Sequence, residues 1–135
     1  RDIQARRHAN FTAYAEGLRE IASQGAFRIP HIPEGCVGNA HIFFVVLPTM
    51  EIRDHYEMEL KNRGVSAFSH YLALHSAPAG IKYGRWVGSM INTDDVQHTL
   101  LRLPVWADMG AAQVQFVVDA VRHIASTLPA HLAAT

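Results

Sequence analysis

Residues 67–80 read AFSHYLALHSAPAG, two histidines and a tyrosine in an otherwise apolar run that breaks at Ala77-Pro78-Ala79-Gly80. Imidazole and phenol tips act as neutral donors and acceptors near pH 7. Delivered by a strand end to a cleft, His70, Tyr71 and His75 would hydrogen-bond a polar ligand. Inside a core they would instead seek backbone partners, and the residues alone leave both readings open. The glycine-bearing loop that follows, 76–90, brings Lys82, Tyr83, Arg85 and Trp86 together. Cations beside aromatics suit an anionic, ring-bearing ligand, and Lys82 could meet a phosphate. The loop carries neither G-x-G-x-x-G nor a Walker pattern, and the same composition also serves plain surface connections.

Other chemistries are poorly supported. The chain has nine histidines, but His70 and His75 are five apart, which on a strand puts them on opposite faces. With no HExxH and no paired cysteines, a zinc centre lacks its ligand geometry. Cys36 follows a glycine, matches no nucleophile motif, and is expected to be a small buried residue. Lys61 and Lys82 are the only lysines. A Schiff-base lysine is desolvated in a pocket; Lys61 falls late on an amphipathic helix and is expected in solvent.

The elements that must position these groups follow from periodicity. Phe11, Tyr14, Leu18 and Ile21 recur every three or four residues, predicting a helix from Arg1 to about Gln24 that stops at Gly25. Residues 28–39, RIPHIPEGCVGN, form a connector. His41–Leu47 predicts a buried strand. Thr49 caps a helix to about Arg63, with Ile52, Tyr56 and Leu60 on one face, and Gly64 provides its exit. Val65–Leu74 predicts a second strand. Asn92 or Thr93 caps a short helix through Leu101. LRLPVW is a short third strand in which Pro104 marks an edge or a strand end. Asp108 caps a last helix whose core face carries Val114, Val117, Val121, Ile124 and Leu128; the tail, 129–135, should fray. This alternation predicts an α+β domain: a small mixed or antiparallel sheet covered by helices.

The bulk properties narrow the class. At 135 residues with 49% hydrophobic content, the chain fits one domain with a real core. Twelve basic residues balance twelve acidic ones, so nothing in the composition points to a nucleic-acid surface, which usually needs a basic patch. No apolar run approaches the roughly 20 residues that span a bilayer. A single cysteine excludes an internal disulfide framework and fits a cytoplasmic location. The chain opens at Arg1, inside a helical pattern, and the expectation is a segment of a longer protein.

Three blocks in order, RIPHIPEGCVGNAHIFFVVL, HYLALHSAPAG and LLRLPVWADM, resemble the C-terminal part of the DegT/DnrJ/StrS sugar-nucleotide aminotransferases. The branch they most resemble is the dTDP-4-amino-4,6-dideoxygalactose transaminases. The likeness rests on Asn39-Ala40-His41, His70-Tyr71-x-x-Leu74-His75 and Leu101-Arg102-Leu103-Pro104, and runs from the QARR of Gln4–Arg7 into the last helix. Ala73 departs from it, standing where that branch carries proline. The resemblance implies that residues 1–135 are the small domain of a fold-type-I enzyme dependent on pyridoxal 5'-phosphate. That enzyme, usually a homodimer, moves an amino group from glutamate to the 4-keto carbon of a dTDP-4-keto-6-deoxy sugar in deoxysugar biosynthesis. The Schiff-base lysine and most cofactor ligands would belong to an upstream large domain, so no catalytic or cofactor-binding residue is expected here and the segment alone should be inactive. His70, Tyr71, His75 and Lys82 would line or buttress the sugar-nucleotide site. The alternative is a non-catalytic sugar-nucleotide-binding or assembly module of the same shape.

Overall fold

A computed structural model describes residues 2–133. Helix α1 (Asp2–Ser23) buries Asn10, Tyr14 and Leu18 and ends just before Gly25, whose φ of 88° a side chain would resist. Strand β1 is Phe43–Val46. Helix α2 (Met50–Asn62) starts at Thr49 as expected: its hydroxyl accepts from the Ile52 N–H at 3.3 Å. Strand β2 is only Phe68–Ser69, followed by α3 (Pro78–Tyr83), α4 (Ile91–Thr99), β3 (Leu100–Leu103), α5 (Ala111–Ser126) and the single turn α6 (Ala130–Ala133).

The sheet is wholly antiparallel in the order β1-β3-β2, the antiparallel form of the small helix-covered sheet that the alternation of elements predicts. Register places Phe43 opposite Leu103 and Val45 opposite Leu101. These four face the helices and are fully or almost fully buried, together with Tyr14, Leu18, Tyr56, Leu60, Val118 and Val121. Phe43 is the hinge of this packing. It stacks on Tyr14 and meets Phe11 edge-on, each at 5.0 Å between ring centres. Burial pushes the Tyr14 phenol well above its ordinary pKa, and the Tyr14 hydroxyl donates to the Pro104 carbonyl at 2.9 Å.

Three local expectations are corrected and one of two alternatives is decided. The second strand does not run from Val65 to Leu74, because pairing stops at Ser69 and Ala73 accepts from the N–H groups of Ser76 and Ala77 in a turn. Of the two readings of Pro104, the strand end holds and the edge does not: β3 is central, and Pro104 lies one residue past it, so its missing N–H removes no ladder bond. Asn92 and Thr93 lie within α4 and Met90 precedes it, while the Ser89 hydroxyl accepts from the Ile91 N–H. Gly110 rather than Asp108 precedes α5: Gln113 accepts from the Gly110 N–H at 2.9 Å, and the Asp108 carboxylate instead pairs with Arg6. In the tail, residues 130–133 form a helical turn, and the expected fraying of 134–135 lies outside the described residues.

Candidate functional site

The run from His70 to Gly80 leaves the sheet and is held by two local devices. Gln97, on α4, accepts from the Ala73 N–H, and its same oxygen lies 3.3 Å from the Ser76 hydroxyl. A proline at 73 would have no N–H for this bond, so the departure at Ala73 has a structural counterpart here. Gly80 then packs directly on the Leu74 carbonyl; a Cβ there would fall 1.5 Å from that oxygen. Only glycine permits α3 to close against the turn, and Pro78 at the first helical position starts it without a lost hydrogen bond.

This scaffold separates the two histidines. His75 is half-buried, with Nε2 2.8 Å from Asp94 Oδ1 and its ring edge-on to Trp86 at 5.7 Å. His70 is exposed, edge-on to Tyr71 at 5.2 Å. Tyr71 is 76% exposed, and the Arg102 guanidinium lies 5.5 Å from its ring centre.

Two open cavities flank Leu74 and Thr93. One, of about 620 Å³, is lined by His70, Tyr71, Leu74, Asn92, Gln97 and Leu100 among others. Its neighbour, of about 380 Å³, is lined by His75, Gly84, Arg85, Trp86, Met90 and Thr93 among others. His70 and Tyr71 therefore share one cavity, and His75 faces the adjoining one. Lys82 lines neither; its ammonium sits 4.9 Å from the centre of the Tyr83 ring, in solvent. No aspartate or glutamate occurs between Leu60 and Thr93, and no lining residue of either cavity is acidic. An anion can enter without meeting a carboxylate wall.

Sequence reasoning missed Gln97, Asp94 and Arg102. Nothing in linear spacing links Gln97 or Asp94 to the histidine run. Arg102 did carry a signal, a charge in the middle of the apolar LLRLP. Cys36, expected to be buried, is exposed in the connector, because that segment leaves the core between α1 and β1. Lys61 is exposed, as expected of its helix position.

The fold has close relatives among solved structures. Over 94% of its length the chain superimposes on DesV from S. venezuelae, solved in complex with a ketimine intermediate, with TM-score 0.81 and 26% identity. An aminotransferase TlmJ from Streptoalloteichus hindustanus matches over 93% with TM-score 0.78 and 24% identity. Helicobacter pylori PseC, an aminotransferase involved in the biosynthesis of pseudaminic acid, matches over 93% with TM-score 0.77 and 15% identity. The chain spans about a third of each: 33%, 32% and 33% respectively. The sequence pattern of one family covers residues 1–122: the chain belongs to the DegT/DnrJ/EryC1/StrS aminotransferase family.

Proposed function

We propose that residues 1–135 act as the C-terminal small domain of a cytoplasmic, homodimeric sugar-nucleotide aminotransferase dependent on pyridoxal 5'-phosphate. In this reading the intact enzyme moves an amino group from glutamate to the 4-keto carbon of a dTDP-4-keto-6-deoxy sugar. The observation that carries it is the carboxylate-free cavity pair beside His70, Tyr71 and His75 in a chain of this family. His70 and Tyr71 donate to or accept from the nucleotide sugar. His75, held by Asp94 and Trp86, positions the wall between the cavities. Lys82 stands outside both and supplies only longer-range attraction for phosphate.

The residues present do not fit the cofactor. A Schiff-base lysine needs a desolvated pocket, and both lysines of this chain stand in solvent. Cofactor holding and catalysis are therefore assigned to a segment outside these residues, and this chain's part is to bind and orient substrate and exclude water from it. The same exposed lysines favour a second reading, a non-catalytic sugar-nucleotide-binding module.

The discriminating experiment uses the full gene product that contains this chain, assayed for amino transfer from glutamate to the dTDP-4-keto-6-deoxy sugar. His70→Ala should raise KM for the sugar nucleotide about tenfold while cofactor absorbance stays unchanged, as expected for one lost hydrogen bond to a polar ligand. The 135-residue chain with pyridoxal 5'-phosphate should show no stoichiometric aldimine band. A band abolished by Lys82→Ala would sink this division of labour, and binding of the nucleotide sugar without transfer would establish the second reading.

A further inference from the structure

Arg102 sits in the centre of the sheet on the face turned away from the core. Cross-strand register places Phe44 on one side of it and Phe68 on the other. Neither phenylalanine belongs to the helix-packed core, and Phe68 is 58% exposed. The Arg102 Nε is shielded from solvent and, among the described residues, has no hydrogen-bond partner. None of the ion pairs among those residues involves Arg102; its one contact of note is the Tyr71 ring. A charged group half-withdrawn from water with its donors unused is costly unless something pairs with it. A structural arginine on this face would be expected to hold a carboxylate or a carbonyl.

The guanidinium is planar and offers donors along its edges while a face rests on an aromatic ring. Resting near Tyr71, Arg102 keeps those edges for an oxyanion, which it can take through two parallel hydrogen bonds. Tyr71 is also a wall of the 620 Å³ cavity, and Leu100, two residues before Arg102 on the same face of β3, is another. The cation thus lies behind one wall of the cavity, against the Tyr71 ring, and that cavity has no acidic lining residue and is large enough for a ring. We infer that Arg102 is the charge-reading residue of this cavity, taking the phosphate oxygens of a nucleoside diphosphate whose remainder lies beside His70 and Tyr71. This rests on the reading of the cavity as a nucleotide-sugar site.

The test titrates the full gene product that contains this chain with dTDP, thymidine and glutamate separately, following backbone amide shifts by TROSY NMR. The expected result is that dTDP moves the resonances of residues 70–74 and 100–102, and that thymidine binds at least tenfold more weakly. Arg102→Gln should weaken dTDP about tenfold and bring it to the thymidine level, with Arg102→Lys in between because it keeps charge but loses the fork. Both variants should melt close to the wild type, since no hydrogen bond or ion pair is lost and the exposed Tyr71 contact contributes little. Unchanged dTDP binding in Arg102→Gln, with loss in His70→Ala, overturns the role of Arg102 and leaves the cavity reading intact. Glutamate binding tighter than dTDP through Arg102 overturns the phosphate assignment, as does a wild-type chain that does not distinguish dTDP from thymidine. If amino transfer to a nucleotide sugar fails in the full gene product while Arg102-dependent dTDP binding persists, the anion site stands and the aminotransferase reading falls.

Discussion

Tyr56 shows how burial of one side chain sets a pH limit on the whole chain. It is 1% exposed on α2, meets Phe27 edge-on at 6.3 Å, and its phenol is pushed by burial from 10.0 up to about 12. The folded state therefore keeps a proton that the unfolded chain gives up, so folding gains stability that is complete below about pH 10 and is lost as pH rises through the folded value. At 1.36 kcal/mol per unit, the loss by pH 12 is on the order of 2 kcal/mol. Tyr14, raised in the same direction, adds to the slope. Urea unfolding at pH 9 and at pH 11.5 should show Tyr56→Phe losing clearly less stability than wild type across that interval. Equal losses would mean that the phenol is not a determinant of alkaline unfolding. The glutamates at 51 and 59 are shifted the other way, lowered by hydrogen bonds, Glu51 to backbone first and Glu59 to Arg63 first, but both are solvent-facing and surface charges of this kind contribute little.

Between elements, the closest fit is α1 against α5. Gly17 faces Val118, and a Cβ at 17 would come within 2.8 and 3.0 Å of the two valine methyls. An alanine in a helix gains up to about 1 kcal/mol over glycine, whereas overpacking a stiff neighbour costs about 1–3 kcal/mol. Gly17→Ala should therefore lower stability by about 1 kcal/mol in spite of its better helix propensity. Val118→Ala alone should also destabilise, by opening a cavity. The double variant should be markedly more stable than the sum of the two losses, since the new methyl occupies the space vacated. Additive losses in chemical unfolding would show that the helices are not in contact at this point. The neighbouring joint behaves differently: Gly80 meets the Leu74 backbone carbonyl, which cannot rotate away, so α3 tolerates no side chain there at all.

For the molecule as a whole, the helix-packed core and the stretch from Phe68 to Ile91 are very unlike. Phe68, Tyr71, Leu72, Leu74, Ile81, Tyr83, Trp86, Val87 and Ile91 are each at least 51% exposed, all within one stretch of the chain. Isolated exposed apolar residues are ordinary, but a concentration of this kind marks a surface that is normally covered. In the proposed function, a large domain covers it. The chain alone should then self-associate, with sedimentation weight rising with concentration, and Leu72→Glu with Leu74→Glu should return it to monomer. A monomer that persists at high concentration would show that this face needs no cover. No helix among the described residues is long and apolar enough to cross a membrane.

Much of this was legible in residue order alone. The periodicity of Phe11, Tyr14, Leu18 and Ile21, the β-branched and aromatic run ending at Leu47, the Thr49 cap and the valine stripe of the last long helix all act locally, through backbone sterics and one-sided burial. They specified four of the main elements and the layer architecture. The three ordered blocks also carried the family. What remained hidden depends on partners distant in the chain. The second strand shrank to Phe68–Ser69 because its apolar outer residues, Tyr71, Leu72 and Leu74, found no core to enter. The third strand became central because two partners reached it from opposite sides, which a proline at its end does not forbid. His70 and His75 were separable only once Asp94 and Trp86 closed on one of them. Arg102 gained its meaning only when register set it between two phenylalanines and beneath Tyr71, for a strand's side-chain alternation fixes that a residue faces one side and the fold alone fixes what waits there.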